Sequence, residues 1–466
     1  MSIDDSGLNG KVLPQNITID ISANHPLIKL VNTISWNDLF EIALPDIKAT
    51  TKKGKWWMGR PLRLRIHMGA YLLQQLFDKT DRQIEYDIKD NAAYQLFCGR
   101  NLVKKWHCPD HTKIEEFRSR LSPETQKQLA NEIAKQAVDL GFADPTHIDI
   151  DSTVQEANMA YPSDINLLTQ LGIKAKKVWG YMQEKFSTFT LDLLKIDLKE
   201  IKQKARACYF TKTKDKEKKS DLLSDLWLSV FSPVSTVVKY IEILDEYDFK
   251  HMPWNISRLA TQLKSYASDY FTDVTKFLLS GAIEPGKRLS FHLSQVACIN
   301  KSKPGKKYQF GRIFQLARIK GNFLFAGRCD SPNQSDKHSI EMMFDTHKKT
   351  FIGCGVNSAT ADKGYYSAYN EKIMVERDVK EIGIQRPANV KQKKASDITD
   401  ERKQEMVDRR AGIEPLIGHA IHKGQLERSR MKSDRTVEAS GFGSILGFNL
   451  RQLTRYKMGK IKMEGT

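Results

Sequence analysis

A short segment with period-two alternation interrupts a chain that is otherwise patterned like helices. Residues 146–154, THIDIDSTV, alternate polar side chains with apolar or β-branched ones, which predicts a strand that carries Asp149 and Asp151 on one face. On either side of this segment, from about 25 to 140 and from about 167 to 296, apolar residues recur mostly at helical spacing. Any fold of this chain therefore combines helices with a sheet that begins near residue 146.

Further strand signals lie in the last third of the chain. The first two are separated by Ile319-Lys320-Gly321, and this spacing predicts a hairpin. The third is an apolar segment that leads to Ala361 and Asp362. The segments are 308–317, 322–329, 351–356 and 379–384.

The first third of the chain predicts short helices joined by polar turns. The helical pattern begins at Pro26, Pro61 can open a second helix, and Thr80-Asp81 can cap a third. Pro109-Asp110 precedes a longer helical stretch, 113–140. In a basic chain this arrangement suits a helix-turn-helix-like module that binds DNA, and an ordinary helical domain is an equally good interpretation.

The net charge of the chain suits a polyanionic partner. The 466 residues include 74 Lys and Arg against 56 Asp and Glu, a formal net charge of +18. A pI of about 9.4 is in the range of nucleic-acid-binding proteins, although many basic proteins have only solvated basic faces. Residues 201–220 hold eight basic residues against two acids. That run predicts a solvated helix face or linker, the favoured interpretation, or a contact surface for the DNA backbone.

The remaining composition disfavours membrane and disulfide-rich classes of protein. No uninterrupted apolar stretch approaches the ~18 residues that span a bilayer, and the N-terminus, MSIDD, lacks a basic-then-apolar signal pattern. The 6 cysteines are irregularly spaced and form no C-x-x-C pair. We therefore expect a soluble cytoplasmic protein without a membrane partner, a disulfide framework or a structural zinc site.

Three acidic residues stand in contexts that suit catalysis. Asp151 ends a predicted strand, Asp362 follows another, and Glu414 lies on a predicted helix. Phosphodiester chemistry uses hard cations held by carboxylate oxygens, and two ions about 3.5–4 Å apart can activate the attacking oxygen and stabilise the leaving one. The spacing alone does not single out these three residues, because the chain offers 56 acids.

The sequence around these acids carries a family resemblance. The motifs are DSTVQEANMAYPSD at 151–164, ADKGY at 361–365, RRAGIEPLIGH at 409–419, NLR at 449–451, and a stretch from GRP at 59–61 through FCG at 97–99 and PDHT at 109–112 to FR at 117–118. These motifs resemble the three catalytic segments, the C-terminal Asn-Leu-Arg and the N-terminal domain of bacterial insertion-sequence transposases of the DDE class, in the insertion-sequence-five-like group. The resemblance covers roughly residues 25–170 and 300–456.

The resemblance implies an α/β fold with an RNase-H-like catalytic core. This core is a mixed five-stranded sheet with helices, and a long helical insertion separates its first and second strands. Asp151 is expected on the first strand, Asp362 just after the fourth, and Glu414 on the helix that follows the fifth. The expected parts are a flexible arm (1–23), a helical, helix-turn-helix-like N-terminal DNA-binding domain (24–143), the catalytic domain (144–166 and 300–456), the insertion (167–299) and a basic tail (457–466).

The same resemblance implies the activity of a DNA transposase. Such a protein binds the terminal inverted repeats of its own insertion sequence, hydrolyses the ends and joins the 3′-OH to target DNA by transesterification. Asp151, Asp362 and Glu414 would hold two Mg²⁺ ions, with Mn²⁺ as a substitute. Synapsis of two ends implies a homodimer on double-stranded DNA, associated with the nucleoid of a bacterial cytoplasm. The insertion is expected to contact DNA or to dimerise.

One signature of the group is matched only in part. It reads Tyr, two residues, Arg, three residues, Glu, six residues, Lys. Arg410 and Glu414 match it, whereas Val407 and Ile421 occupy the Tyr and Lys positions. Arg410 is expected to contact a DNA phosphate, with a surface ion pair as the alternative. Further candidates for DNA binding are Lys363, Lys423 and Arg428.

Two other functions fit parts of the sequence. A DNA-binding protein without catalysis, such as a decayed transposase or a repressor, agrees with the altered signature. A haloacid-dehalogenase-like phosphatase would use Asp149 as nucleophile and Asp151 as general acid, but that fold needs parallel strands where a hairpin is predicted. Otherwise Asp149 is a strand-edge acid, the favoured interpretation, or an electrostatic aid to the metal site. Tyr365 and Tyr366 either stack on a base or pack in the core.

Overall fold

A computed structural model of the chain describes residues 20–50, 64–99, 108–185, 194–211, 215–244, 246–283, 286–303, 306–330, 336–385 and 399–463. Most of the predicted arm, 1–23, and the predicted helix start at Pro61 lie outside these residues. The strands are β1 (Asp144–Glu156), β2 (Ala297–Lys303), β3 (Lys306–Lys320), β4 (Phe323–Asp330), β5 (Ser358–Ala361) and β6 (Glu381–Ile384).

Helices precede the sheet, interrupt it after β1 and follow it. The N-terminal helices are α1 (Pro26–Val31), α2 (Trp36–Thr50), α3 (Leu64–Phe77), α4 (Asp81–Asp90), α5 (Ala92–Phe97), α6 (His111–Arg120) and α7 (Pro123–Asp139). Between β1 and β2 lie α8 (Asp164–Lys185), α9 (Leu198–Phe210), α10 (Lys216–Ile243), α11 (Glu246–His251) and α12 (Trp254–Ser280). The later helices are α13 (Ile340–Thr350), α14 (Ala368–Glu376), α15 (Asp400–Ala411), α16 (Ile413–His422) and α17 (Asp434–Lys457).

The strands form one mixed sheet in which β1 is central. On one side of β1 lies β3, which runs antiparallel to it. On the other side lie β5 and then β6, both parallel to β1. Both β2 and β4 pair antiparallel with the outer edge of β3, β2 along its N-terminal half and β4 along its C-terminal half. The order through the C-terminal half of β3 is therefore β4-β3-β1-β5-β6.

The sheet has one strand more than the five that were expected. The extra strand is β2, whose sequence ACINKSK is mostly polar and gives no clear alternation. Because β3 extends back to Lys306, beyond the predicted start at 308, its N-terminal half offers backbone groups that β2 can pair with. Pairing along a long neighbour, rather than an apolar pattern, therefore makes this segment a strand.

Helices α8 to α12 form a bundle with a hydrophobic core of its own. Helix α8 packs on α9, α10 and α12, and α10 also packs on α12. The bundle core is separate from the core beside the sheet, and it includes Leu171, Trp179, Val230, Leu263 and Phe271. The bundle follows β1 and precedes β2, so it interrupts the sheet in sequence without joining its core.

One described helix, α10, is long and apolar enough to cross a membrane by length and composition. One of its faces packs inside the bundle, where Leu226, Val230, Val234 and Val237 are fully buried. Core helices of soluble proteins pass the same test of length and composition, so this helix alone is weak evidence for a membrane span.

The N-terminal helices share one hydrophobic core with the sheet. This core extends from Leu27 in α1 through β1, β3 and β4 to Tyr456 in α17. Helix α17 packs on α3, α7 and β4, and α7 also packs on β4. The boundary drawn at residue 143 therefore does not coincide with a break in this core.

The helical stretch predicted at 113–140 is divided into α6 and α7. The division falls at Leu121-Ser122, where the Ser122 Oγ accepts a hydrogen bond from the backbone N–H of Thr125 at 3.1 Å. Pro123 occupies the first position of α7, where its missing N–H leaves no carbonyl unpaired. The predicted stretch is therefore helical, and the Ser122 cap with Pro123 divides it into two helices.

The Asn-Leu-Arg motif fastens α17 to its neighbours. Asn449 is fully buried, and its side chain accepts from the Leu324 N–H at 3.0 Å and donates to the carbonyls of Leu324 at 2.7 Å and Ala130 at 2.9 Å. Arg451 donates to the Leu76 carbonyl, 2.9 Å away, near the end of α3. The motif therefore joins α17 to β4, α7 and α3, away from the predicted acids.

Replacing Asn449 by alanine should destabilise the protein. The substitution would leave the N–H and the carbonyl of Leu324 without the partner that Asn449 supplies, and each unpaired buried group costs about 1–3 kcal/mol. We expect a loss of about 2–4 kcal/mol in the free energy of unfolding, measured by urea denaturation. Asn255→Ala, at an exposed position of α12, is the control and should change the free energy by less than about 0.5 kcal/mol. Equal stability of the two variants would contradict the fastening role.

Candidate active site

The sheet brings two of the predicted acids to the same level. In the parallel pairing of β1 and β5, Ile150 lies opposite Ala361. Asp151 is the next residue on β1, and Asp362 is the first residue after β5. Asp151 and Asp362 are therefore side by side, each one residue beyond the same backbone pair. Glu414 approaches from the second position of α16.

The guanidinium of Arg410 lies among the three acids. Its Nη1 is 3.4 Å from Asp151 Oδ2, and its Nη2 is 4.0 Å from both Asp362 Oδ1 and Glu414 Oε1. The Arg410 side chain is 18% exposed and that of Asp151 is 19% exposed, whereas Asp362 and Glu414 are 58% and 68% exposed. One cation therefore faces three carboxylates, two of which are largely in solvent.

The Asp151 carboxyl has a shifted affinity for protons. Burial raises its pKa to about 6, and the nearby negative charges of Asp362 and Glu414 act in the same direction. The N–H of Ser152 and the guanidinium of Arg410 oppose this shift. The acids are thus close enough to influence one another, as expected of groups that share one site.

Asp149 is buried, and both oxygens of its carboxylate accept hydrogen bonds. It is 3% exposed, and Thr360 Oγ1 donates to its Oδ1 at 2.6 Å. Arg409 Nε donates to the same oxygen at 3.0 Å, and Arg318 Nε donates to Oδ2 at 2.8 Å. Asp149 is therefore a buried acceptor of two arginines and one hydroxyl on the central strand of the sheet.

The partners of Asp149 were missed in the sequence, because only the strand register brings them together. Arg318 is directly opposite Asp149 on β3, and Thr360 is directly opposite it on β5. Arg409 comes from α15, which packs against β5 and β6. The only sequence signal was the adjacent pair Arg409-Arg410 in the third motif, and it does not tell which arginine faces which acid.

Arg318 also reaches the junction between α15 and α16. Its Nη2 donates to the Arg409 carbonyl at 2.7 Å, and its Nη1 lies beside Gly412. A Cβ on Gly412 would be 2.2 Å from that Nη1. Gly412 therefore permits the close approach of the guanidinium, and the helix that carries Glu414 begins directly after it.

The other predicted DNA-binding residues lie outside this group. Lys363 is exposed in a 3₁₀ turn after Asp362, and Lys423 is exposed at the C-cap of α16. Arg428 donates to the Met159 carbonyl at 3.2 Å. Of the four candidates, Arg410 alone has ion pairs with the acids among those described.

Two further residues discussed in the sequence analysis, Tyr365 and Ile421, pack against the hydrophobic core. Tyr365 is 1% exposed, and its hydroxyl donates to Gln315 Oε1 at 2.8 Å. It therefore packs in the core and cannot stack on a base. Ile421, at the signature Lys position, is partly buried against the main core. Its apolar side chain thus contributes packing where the group pattern has a cation.

The donor chemistry of the site suits a hard divalent cation, although the side chains are not arranged as a cage. Three carboxylates are the ligand type that Mg²⁺ prefers. Across the described ranges, no three His, Cys, Asp or Glu side chains are close enough together to hold a metal ion. Arg410 supplies the positive charge among the acids instead.

Comparison with known proteins matches the N-terminal part of the chain. Residues 15–120 match the sequence model of the family Transposase domain (DUF772), which supports a transposase family. The chain is also similar to a protein of Rhizobium meliloti described as "Uncharacterized protein ORF8 in nfe locus", with 26% identity over 114 residues, 24% of this chain. The chain spans about half the length of that curated relative (55%). No solved structure matches the chain.

Alanine at two glycines six residues apart should have opposite effects. Gly412 has ordinary helical angles, φ −66° and ψ −12°, so alanine there changes only the space beside Arg318. We expect Gly412→Ala to lower the free energy of unfolding by about 1–3 kcal/mol, because Arg318 must leave its partners. Gly418→Ala is the control, since no atom lies within 4 Å of its Cβ, and it should be neutral or stabilise by about 0.5–1 kcal/mol. Chemical denaturation measures both, and a neutral Gly412→Ala would contradict this account of Arg318.

Proposed function

We propose that the protein is a DNA transposase of the DDE class. The observation that carries the proposal is the convergence of Asp151, Asp362 and Glu414 around Arg410. The family match at residues 15–120 supports it independently, because it falls on the N-terminal helices and not on the acids. The two lines of support therefore come from different parts of the chain.

The strand order supports an RNase-H-like core as part of this proposal. The series β4-β3-β1-β5-β6 has a central β1, an antiparallel β3 on one side and parallel β5 and β6 on the other. Five of the strands also follow one another along the chain as the resemblance implies: β1, the β3–β4 hairpin, β5 and β6. With β2 counted as an addition at the edge, Asp151 and Asp362 lie on the first and directly after the fourth core strand.

The metal assignment follows from the donor set. Asp151, Asp362 and Glu414 would hold two Mg²⁺ ions, or Mn²⁺, and bound ions would supply activation of water and stabilisation of the leaving oxygen. Arg410 would bind a phosphate of the DNA backbone beside the acids. Asp362 and Glu414 are exposed enough to change rotamer when Arg410 does so.

The proposed reaction uses DNA as both substrates. Hydrolysis at the terminal inverted repeats would release a 3′-OH. This hydroxyl would attack a phosphodiester of the target DNA, and the 3′-oxygen of the target strand would leave. The net charge of +18 favours approach to both duplexes. Two ends must be held together, so we propose a homodimer on DNA, in the nucleoid of a bacterial cytoplasm.

One of the two rival functions is compatible with the structure and the other is not. A DNA-binding protein without catalysis remains the second candidate, since Val407 and Ile421 replace the signature Tyr and Lys. The haloacid-dehalogenase-like phosphatase conflicts with the structure. Its nucleophile would be Asp149, whose two oxygens are bound by Thr360, Arg409 and Arg318 in the interior.

A cleavage assay on the DNA that flanks this gene tests the proposal. We expect Mg²⁺-dependent nicks at the element ends, and a loss of at least about 100-fold in rate for Asp151→Asn, Asp362→Asn and Glu414→Gln. Glu401→Gln, an exposed acid on the neighbouring α15, is the control and should cleave normally. Chelation should abolish cleavage and spare binding. Binding of the ends without cleavage, equal in all variants, would favour the non-catalytic candidate.

Removing the guanidinium from the acid group should ease metal binding to the DNA-free protein. In Arg410→Gln the three carboxylates lose their nearest cation, so we expect Ca²⁺ to raise the melting temperature at an about tenfold lower concentration than in wild type. Arg402→Gln is the control, because Arg402 lies on the same helix and pairs with Glu381. An unchanged Ca²⁺ response in Arg410→Gln would show that Arg410 does not compete with a cation for these acids.

A further inference from the structure

Each of the four groups of the candidate site is close along the chain to Asp149 itself, to one of its partners or to a residue that contacts one of them. Asp149 precedes Asp151 by two residues on the same face of β1, and its partner Thr360 precedes Asp362 by two residues along β5. Its partner Arg409 directly precedes Arg410. No other acid in the described ranges is bonded to β3, β5 and α15 together.

The fourth group, Glu414, is connected through Arg318. Arg318 binds Asp149 with its Nε and Nη2, and the same Nη2 donates to the Arg409 carbonyl in the last turn of α15. Its Nη1 lies against Gly412, two residues before Glu414. Asp149 thus fixes Arg318, and Arg318 fixes the turn at which α15 ends and α16 begins.

We propose that Asp149 is a positioning residue of the active site, which holds α15 and its continuation against the sheet so that Arg410 and Glu414 face Asp151 and Asp362. This inference rests on the proposed function. Asp149 touches neither DNA nor a reacting atom and acts through Arg409 and Arg318. A buried carboxylate held by two guanidiniums and a hydroxyl has little freedom to move, and it transmits that rigidity to the side chains next to its partners.

A positioning residue affects the catalytic rate, whereas a residue with a purely structural role affects only stability. Loss of one buried ion pair lowers stability wherever it occurs, but of the acids in the described ranges only Asp149 is bonded to β3, β5 and α15 together. Arg312 on β3 offers a matched comparison, because it is 1% exposed and pairs with Asp434 of α17, outside the acid group. Each carboxylate joins the sheet to a C-terminal helix, because Asp149 of β1 pairs with Arg409 of α15 and Asp434 of α17 pairs with Arg312 of β3. Only the first of these pairs adjoins the site.

The test compares Asp149→Asn with Asp434→Asn in the full-length protein. Single-turnover cleavage of end DNA is measured at saturating protein, below the melting temperatures of both variants, together with the dissociation constant for the DNA. We expect Asp149→Asn to lower the cleavage rate constant about 100-fold, since small misplacements of reacting groups have effects of that size, with end binding changed less than about threefold. Asp434→Asn should cleave at the wild-type rate.

Hydrogen exchange supplies a readout that does not depend on activity. In Asp149→Asn the amides of α15 should exchange faster, while those of α8 to α12 remain as in wild type. If Asp149→Asn fails to fold, Thr360→Val removes one hydrogen bond to Asp149 with little change in shape, and it should lower the rate constant about tenfold. Arg409→Lys, which keeps a cation facing Asp149, should retain more activity than Arg409→Gln.

The outcomes separate this inference from the proposed function. A wild-type protein that binds its ends and never cleaves them would overturn both. A wild-type protein that cleaves, with Asp149→Asn or Thr360→Val cleaving equally well, would leave the transposase proposal intact and overturn the positioning role. Equal losses in Asp149→Asn and Asp434→Asn would also overturn it, because a general effect of lost stability would then explain the result.

Discussion

The pairing of β1 with strands on both of its sides is the constraint on which the site depends. Register in a sheet has a period of two, so a shift by one residue would turn Asp149 and Asp151 to the opposite face. Antiparallel pairing with β3 places Arg318 opposite Asp149, and parallel pairing with β5 places Thr360 there. The hydrogen bonds of Asp149 reinforce both registers, so the sheet and the acid group stabilise the same alignment.

Small residues in α17 join this sheet to the N-terminal helices. A Cβ on Gly441 would lie 2.1 Å from the Phe314 ring, and one on Gly447 would lie 2.1 Å from the Gln75 carbonyl. The helix therefore approaches β3 and α3 more closely than larger residues would allow. Helix α17 also binds α7 and β4 through Asn449, so packed side chains connect the N-terminal helices to the sheet. The bundle of α8–α12 has a separate hydrophobic core.

The sequence predicted local structure well and long-range partners poorly. Alternation located β1, and strand signals on both sides of Ile319-Lys320-Gly321 located the β3–β4 hairpin. The sequence patterns missed β2, whose residues become a strand only beside a long neighbour, and the start of α7 at Ser122-Pro123, although the cap signal was present. The acids Asp151, Asp362 and Glu414 were chosen on motifs, because spacing could not choose among 56 acids. The partners of Asp149 are 169, 211 and 260 residues away, and no local pattern encodes such contacts.

The two consecutive arginines of the site differ in how deeply their acidic partners are buried. Arg409 pairs with Asp149, which is 3% exposed, and an unpaired charge there would be strongly destabilising, so this side chain has one favourable position. Arg410 pairs at 3.4–4.0 Å with acids of which two are more than half exposed. Such pairs contribute little, because water solvates either partner when they separate. In the proposed function, the fixed arginine would therefore hold the helix in place while its neighbour exchanges a carboxylate for a phosphate.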